Sequence, residues 1–523
     1  MKYFLFLFTA LSIASVVNAQ LLHPVIFSMQ GLGGDDHDEI FTRPITTYDG
    51  GFIVTISSRS TTGNLNTTCS LAGKREIFNK YNPDGTAIIW QKCVADSQDR
   101  AFPYLFPFQD GSYVLGGSSF SISEQDFLIR KFNSNDGVVW SKKYGGTNGE
   151  LLRDMAQTKD GGFIMLGVSN SDDGDVGFHH GGVFNDDIWI LKLDSNGNKE
   201  WSTVIGGMAN DEAFCVVPRS QGGYYVVGST FSTDGDCIGN HGNGDGLVVR
   251  LDDTGGKVWA RCLGGSSFDA HWNGWGIENK DGGVLFTTDC YSTDGDVTGH
   301  ISATGVSDFW LVDIDSNNVI NWNKCYGGSN SETPNTMCRS TDGTLWIGGI
   351  SGSADGQVGV AYGSGDAYIV HVDTSGNFLS SKVLGANEKD ETTLLYPLND
   401  GLIMAGGTYS APDPSGGEFP SQWYGLTDVF LARFAPWTTG ITNLQQSTNL
   451  KVYPNPATDK ISIQLDQRDY NIKITSIAGS ELSHQKNVSG TVMIDVSQWS
   501  KGIYYLQATA ADGTRSTTKF FIN

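Results

Sequence analysis

Residues 160–207 read DGGFIMLGVSNSDDGDVGFHHGGVFNDDIWILKLDSNGNKEWSTVIGG. A glycine turn, Asp160-Gly161-Gly162, opens onto a short apolar strand. A long polar loop follows, then a strand beginning with an acid, the tight turn Ser195-Asn196-Gly197-Asn198, and a further strand that ends at a double glycine. Asp-Gly and Asn-Gly pairs supply the positive φ that tight antiparallel turns need, and short apolar runs between turns are strands, not helices. The turn recurs at Asp49-Gly50-Gly51, Asp110-Gly111, Gln221-Gly222-Gly223, Asp281-Gly282-Gly283, Asp342-Gly343 and Asp400-Gly401, at successive offsets of 61, 50, 61, 60, 61 and 58. That makes seven units. With a strand leading into each turn, every unit is a four-stranded antiparallel meander. One such sheet cannot bury both faces by itself, whereas seven packed around an axis can.

The fold expected is therefore all-β: a seven-bladed β-propeller over residues 20–436, a polar linker at 437–448, and a small C-terminal β-sandwich over 449–523. The seventh unit stops after its third strand, VFLARF. Its missing fourth strand is expected from PVIFSMQGLGG at residues 24–34, with Phe27-Ser28 standing in for Trp201-Ser202 if one inserted residue is allowed. Glycine, at 67 of 523 residues, matches a chain built from turns, and the net charge of −23 disfavours nucleic acid and anionic membrane.

Lys2, the apolar run Tyr3 to Val17 and the small residues Val17-Asn18-Ala19 form an export signal over residues 1–19, with the mature chain starting at Gln20. No other stretch is apolar and long enough for a transmembrane helix, and a monomer is expected. Eight cysteines in an exported chain permit disulfides. Cys69 and Cys93, both in the first unit, are the expected pair. Cys93, Cys262 and Cys325 share one repeat position, and buried free thiols are the alternative for all of them.

Residues 24–434 resemble the bacterial β-propeller repeat family, whose pattern is DGG, a strand ending in Gly, D-x-W-x-x-K-L-D-x-x-G-N-x-x-W and GG. Kelch propellers are the alternative, since YVLGG, WIGG and IMAGG share their double glycine, but the period here is long for them. The tail resembles the type A C-terminal sorting domain of the type IX secretion system. VYPNPATD (Pro454, Asn455, Pro456 and Ala457), the middle turn from Ser476 to Gly479, GIYY (Gly502 and Tyr504) and KFF (Lys519) occur in order. This resemblance implies a Gram-negative source, the type IX machinery as partner, and delivery to the cell surface or the medium.

Three acidic sets repeat. Asp173-Gly174-Asp175, Asp234-Gly235-Asp236 and Asp294-Gly295-Asp296, with Asp355-Gly356-Gln357 a degenerate fourth, follow the second strand, and His179, His180, His241 and His300 stand shortly after. Clustered carboxylates and carbonyls suit Ca²⁺, so Asp173, Asp175, Asp234, Asp236, Asp294 and Asp296 are candidate ligands. The competing reading is a loop held by Asp–backbone bonds. A second set, Asp38, Asp99, Glu150, Asp211, Asp269, Glu332 and Asp390, enters the innermost strand. Seven carboxylates there suit either a cation at the channel mouth or hydrogen bonds to backbone. The third set, Asp126, Asp187, Asp245, Asp308, Asp366 and Asp428 with Glu76, reads as strand-start caps.

No nucleophile elbow, zinc-protease or phosphate-loop motif is present. Two function classes follow: a surface binding or adhesion module for a glycan or protein, or a surface enzyme acting on glycans through paired acids. His180, His241, His300, Trp272 and Trp275 are candidate ligand contacts. The long second-to-third-strand loops make their face the expected binding face.

Overall fold

The computed structural model describes residues 26–33, 35–40, 43–60, 63, 75–95, 101–120, 125–182, 184–303, 305–399, 401–409, 427–434, 451–465, 469–476, 481–510 and 515–522. The chain divides into two compact units, Met1–Trp437 and Thr438–Asn523. The expected signal segment, the linker, Cys69 and Asp99 lie outside the described residues. Among the described residues no helix is long and apolar enough to cross a membrane.

The described residues of the first unit form seven antiparallel sheets, here blades one to seven. Blade four is representative: Asp211–Pro218, Tyr224–Thr230, Asp245–Leu251 and Lys257–Leu263 pair in chain order. Blade one differs in that its innermost strand is split into Asp38–Glu39 and Ile45–Thr46, both pairing with Phe52–Ser58. In blade four the second and third strands are buried along nearly their whole length, whereas the fourth strand, Lys257–Leu263, begins exposed. The hydrophobic core therefore lies between neighbouring blades. Trp189, fully buried in blade three, packs on Phe127 of blade two with ring centroids 4.4 Å apart. Leu394 and Val429 of blade seven share a core cluster with Phe52 and Val54 of blade one, so the ring closes.

Closure is made by Ile26–Leu32, which pairs antiparallel with Asp428–Phe434 as the outer strand of blade seven. The expected strand is correct, but its alignment is not. Ser28 faces Arg433 as Trp201 faces Lys192, and both strands carry their register shift one residue earlier. Ser28 therefore holds the Trp201 position, and no inserted residue is needed. The displaced residue in each case is a bulge, which a sequence alignment of side-chain types does not register.

The repeated turn is held by its own side chains. In blade three, Gly161 takes φ 81° while Asp160 Oδ1 accepts bonds from Thr158 Oγ1 (2.5 Å) and the Gly162 N–H (3.0 Å). Lys192, from the third strand, donates to Asp160 (2.8 Å) and Glu200 (2.7 Å). Burial opposes ionisation of Asp160, but the bonds from Lys192, Thr158 and Gly162 outweigh it and hold the carboxyl at about 2. The Asp of DGG and the Lys of the third strand, 32 residues apart, are thus one ion pair.

Cys93 is disulfide-bonded. Cys215, Cys237, Cys262, Cys290, Cys325 and Cys338 are free and buried, and burial pushes the Cys262 thiol up to about 12, leaving it unreactive.

The second unit is a two-sheet sandwich. Lys451–Tyr453, Lys460–Gln464 and Thr491–Asp495 form one sheet; Glu481–Val488, Tyr470–Ser476, Gly502–Ala510 and Arg515–Ile522 form the other.

Candidate functional site

The repeated acids come together at each entry to an innermost strand, where they bind the protein's own backbone. In blade four the Asp211 carboxylate accepts the Gly207 N–H (2.8 Å) and Ser232 Oγ (3.0 Å), while Asp234 Oδ1 accepts the Met208 N–H (2.9 Å). The Asp236 N–H closes the loop on Gly206 O at 2.9 Å. Glu150 and Asp173 in blade three, Asp269 and Asp294 in blade five, and Glu332 and Asp355 in blade six repeat these bonds. The double glycine is required here, because a Cβ on Gly206 would run into the carboxylates of both Asp187 and Asp211. The second acidic set is therefore buried in the blades: Asp38, Glu150, Asp211, Asp269, Glu332 and Asp390 have no exposed surface. Among the described residues no three His, Cys, Asp or Glu side chains are grouped to hold a metal ion.

Of the remaining Ca²⁺ candidates, Asp175 pairs with Lys199 (2.8 Å), Asp236 with Lys257, and Asp296 with Arg261 (3.7 Å). Asp234 is exposed, so solvent screening leaves its bond to the Met208 N–H worth on the order of 1 kcal/mol. Asp234→Ala is therefore expected to lower the thermal midpoint of the propeller, and millimolar calcium is expected to leave the parent midpoint unchanged. Differential scanning calorimetry with and without EDTA checks both.

The histidines extend this network between blades. His180 Nδ1 lies 3.0 Å from Asp187 of its own blade and Nε2 lies 3.9 Å from Asp236 of the next. His241 repeats this with Asp245 (2.8 Å) and Asp296 (4.0 Å). His300 departs from the pattern. It is buried, with both ring nitrogens against main-chain oxygens of Ser302 (3.1 Å) and Cys290 (3.3 Å). Asp187, Asp245 and Asp366 accept N–H groups of the loops before their strands, as strand-start caps do. Trp275 is half-buried against the core between blades five and six. Trp272 lies in the innermost strand of blade five, Asp269–Glu278.

A cavity that the sequence reading missed opens at the opposite, short-turn end, between blades one and two. It has a volume of about 270 Å³, and Tyr48, Trp90, Phe108, Tyr113, Lys80 and Lys92 contribute to its wall. The available sequence signal was one residue: the turn Asn133-Ser134-Asn135-Asp136 has Asp136 where blade three has Gly197.

In the sandwich, the VYPNPATD segment is tied to the last strand. Asn455 Oδ1 accepts the Phe521 N–H (2.8 Å), and the Ala457 N–H donates to Phe521 O (2.7 Å). Ala457 and Tyr504 are core residues, Tyr504 stacking on Phe520 with centroids 5.7 Å apart. Gly502 opens the strand that pairs with Arg515–Ile522, and Lys519 is exposed on that last strand. Pro454 and Pro456 follow cis bonds.

Sheet topology and this tail define an exported β-propeller carrying a sorting unit. A family profile described as "secretion system C-terminal sorting domain" matches residues 451–523, and these residues are such a domain, of the type IX system. Such a domain implies export to the cell surface or the extracellular space. A curated relative, the regulatory protein FlaEY of Caulobacter vibrioides, is 24% identical over 236 residues, covering 42% of this chain. The chain spans only 23% of that relative's length. Among solved structures, PorZ, a surface component of the type IX secretion system of Porphyromonas gingivalis, aligns with TM-score 0.31 and 11% identity over 91% of this chain and 69% of its own. The β-propeller domain of the Trilobed protease from Pyrococcus furiosus aligns with TM-score 0.37 and 9% identity over 71% and 90%.

Proposed function

We propose that the propeller is a non-enzymatic binding or adhesion module, delivered outside the cell by the type IX secretion machinery through residues 449–523. The observation that carries the delivery half is the sorting domain at 451–523. The binding half is supported by the state of the acids. The acids that do lie close together, such as Asp187 and Asp211, recur blade after blade, have no exposed surface and are engaged by N–H and hydroxyl donors, unlike the free, solvent-facing pair a glycosidase needs. A rigid ring of seven blades with its charged side chains locked is a scaffold for recognition.

Removal of residues 449–523 tests this reading. The truncated protein is expected to fold, with propeller melting unchanged, and to accumulate in the periplasm while the full chain reaches the surface or the medium. Cell fractionation with surface proteolysis reads the outcome, and normal display of the truncated chain would overturn the delivery role.

A further inference from the structure

The seam between blades one and two is built differently from its neighbours. In blades three, four and six the hairpin between third and fourth strands carries Gly197, Gly255 and Gly376, with φ of 72°, 82° and 74°. The preceding blade's tryptophan lies so close to each that a Cβ would collide with Trp140, Trp201 or Trp322 respectively. Indole on glycine fills those seams. In blade two the same position is Asp136, at φ 62°. Its N–H bonds to Asn133 O at 3.1 Å as the Gly197 N–H bonds to Asp194 O at 3.0 Å, so the turn is the same and only the side chain has changed.

Asp136 pairs with Lys92 of blade one and accepts the Tyr113 hydroxyl at 2.9 Å. Lys92 Nζ lies 3.9 Å from the Tyr113 ring centroid. Lys92 and Tyr113 of this cluster line the cavity of about 270 Å³, with Trp90 and Phe108 also in its wall, and Asp136 holds both from behind. Tyr48, also in the wall, is 58% exposed and so offers a ring to solvent. On the far side Lys80 pairs with Asp49 and stands 5.5 Å from the Tyr48 centroid. The chemistry is specific in two respects. Aromatic faces suit the C–H face of a sugar ring, and a lysine–carboxylate pair suits a hydroxyl that accepts one bond and donates another. Both lysines in the wall, Lys80 and Lys92, already have a carboxylate partner, which favours a neutral ligand over an acidic one. Its volume is near the lower end of ligand pockets, about 300–1,000 Å³, which fits a single ring and not an enclosed chain.

We propose that this inter-blade cavity binds a neutral pyranose, a terminal residue of an extracellular glycan, with Trp90 and Tyr48 as stacking surfaces and Lys92 and the Tyr113 hydroxyl, both held in place by Asp136, as the hydroxyl-binding groups. This rests on the reading of the propeller as a binding module. It places recognition at the short-turn end, away from the acidic loops.

The test uses the full chain and the methyl glycosides of glucose, mannose, galactose and xylose, with glucuronic acid as the charged comparison. Saturation-transfer NMR and tryptophan fluorescence read binding. Asp136→Gly restores the residue found elsewhere in the repeat and suits the positive φ, so the variant is expected to stay folded at the assay temperature, its lost bonds offset in part by the relieved backbone. Loss of its charge-assisted bonds is expected to weaken neutral-sugar binding about tenfold or more. Tyr48→Ala, at an exposed position, is expected to weaken binding without unfolding. Unchanged affinity in both variants, or capture of glucuronic acid in preference to every neutral sugar, would overturn the cavity assignment. Glycan-array binding that survives in Asp136→Gly refutes the cavity alone. A parent chain that captures nothing on glycan or protein arrays refutes the binding-module reading as well.

Discussion

Deletion of residues 20–34 is expected to destabilise the propeller by several kcal/mol and to make it aggregate. The strand Ile26–Leu32 supplies the outer ladder of blade seven, so its loss leaves the Asp428–Phe434 edge unpaired. Leu32 is 3% exposed, and burial of a leucine side chain alone is worth about 1.5–3 kcal/mol. Ile26 and Met29 cover the core formed by Phe430, Ala432 and Phe434, which deletion would expose to water. The remaining blades pack on one another in sequence, so a weakened seventh blade also uncovers the faces that Leu394 and Val429 share with blade one. Thermal unfolding and light scattering of the deleted chain read the effect, and a synthetic peptide of residues 24–34 added in trans is expected to restore part of it. A deleted chain that melts like the parent would show that Ile26–Leu32 does not hold the ring shut.

The second large effect is a loss of stability as pH rises from about 4 to 6. Asp211, buried beside Asp187, has its carboxyl raised from the ordinary 3.8 to about 6, chiefly by burial and further by the charge on Asp187. Burial likewise raises Glu150, Asp187, Asp245, Glu332 and Asp366. A carboxyl with a raised folded-state pKa binds its proton more tightly in the native state. Its contribution is fully present below the unfolded value of about 4 and is lost as pH climbs through the folded value. For Asp211 that loss falls between about 4 and 6 and amounts to on the order of 3 kcal/mol. Turn acids such as Asp49 and Asp160, held down to about 2, act in the opposite sense, but their contribution disappears only as pH falls below about 4. Stability is therefore expected to peak in mild acid. Asp211→Asn is expected to flatten the slope from pH 4 to 6, because a carboxamide at that buried position does not titrate. A midpoint that rises steadily from pH 4 to 6, or an unaltered slope in the Asn variant, would contradict this account.

Much of the architecture was legible in the chain because it is written in local, repeated chemistry. Glycine at a positive-φ turn, an Asp that bonds the next N–H groups and alternating apolar residues are properties of neighbouring positions, and seven copies of them set the strand count and order. The closing strand was legible for the same reason: a unit lacking its fourth strand must obtain one elsewhere. The sorting segment could be read from motifs whose spacing survives folding.

What the acids do could not be read in that way. Asp211 meets Ser232 across 21 residues, Lys192 meets Asp160 across 32, and His180 meets Asp236 only because successive blades pack side by side. A carboxylate that binds a cation and one that binds backbone N–H groups look identical in sequence, since only the positions of the donors distinguish them. The bulge that puts Ser28 at the tryptophan position, the burial of His300 and the cavity around Trp90 are likewise products of packing. The sequence by itself determined a repeated all-β ring and an exported tail, because turns and strands follow from adjacent residues. Only the tertiary structure decided which polar groups are consumed in holding the ring together and where a cavity is left open, because those outcomes depend on distances between blades.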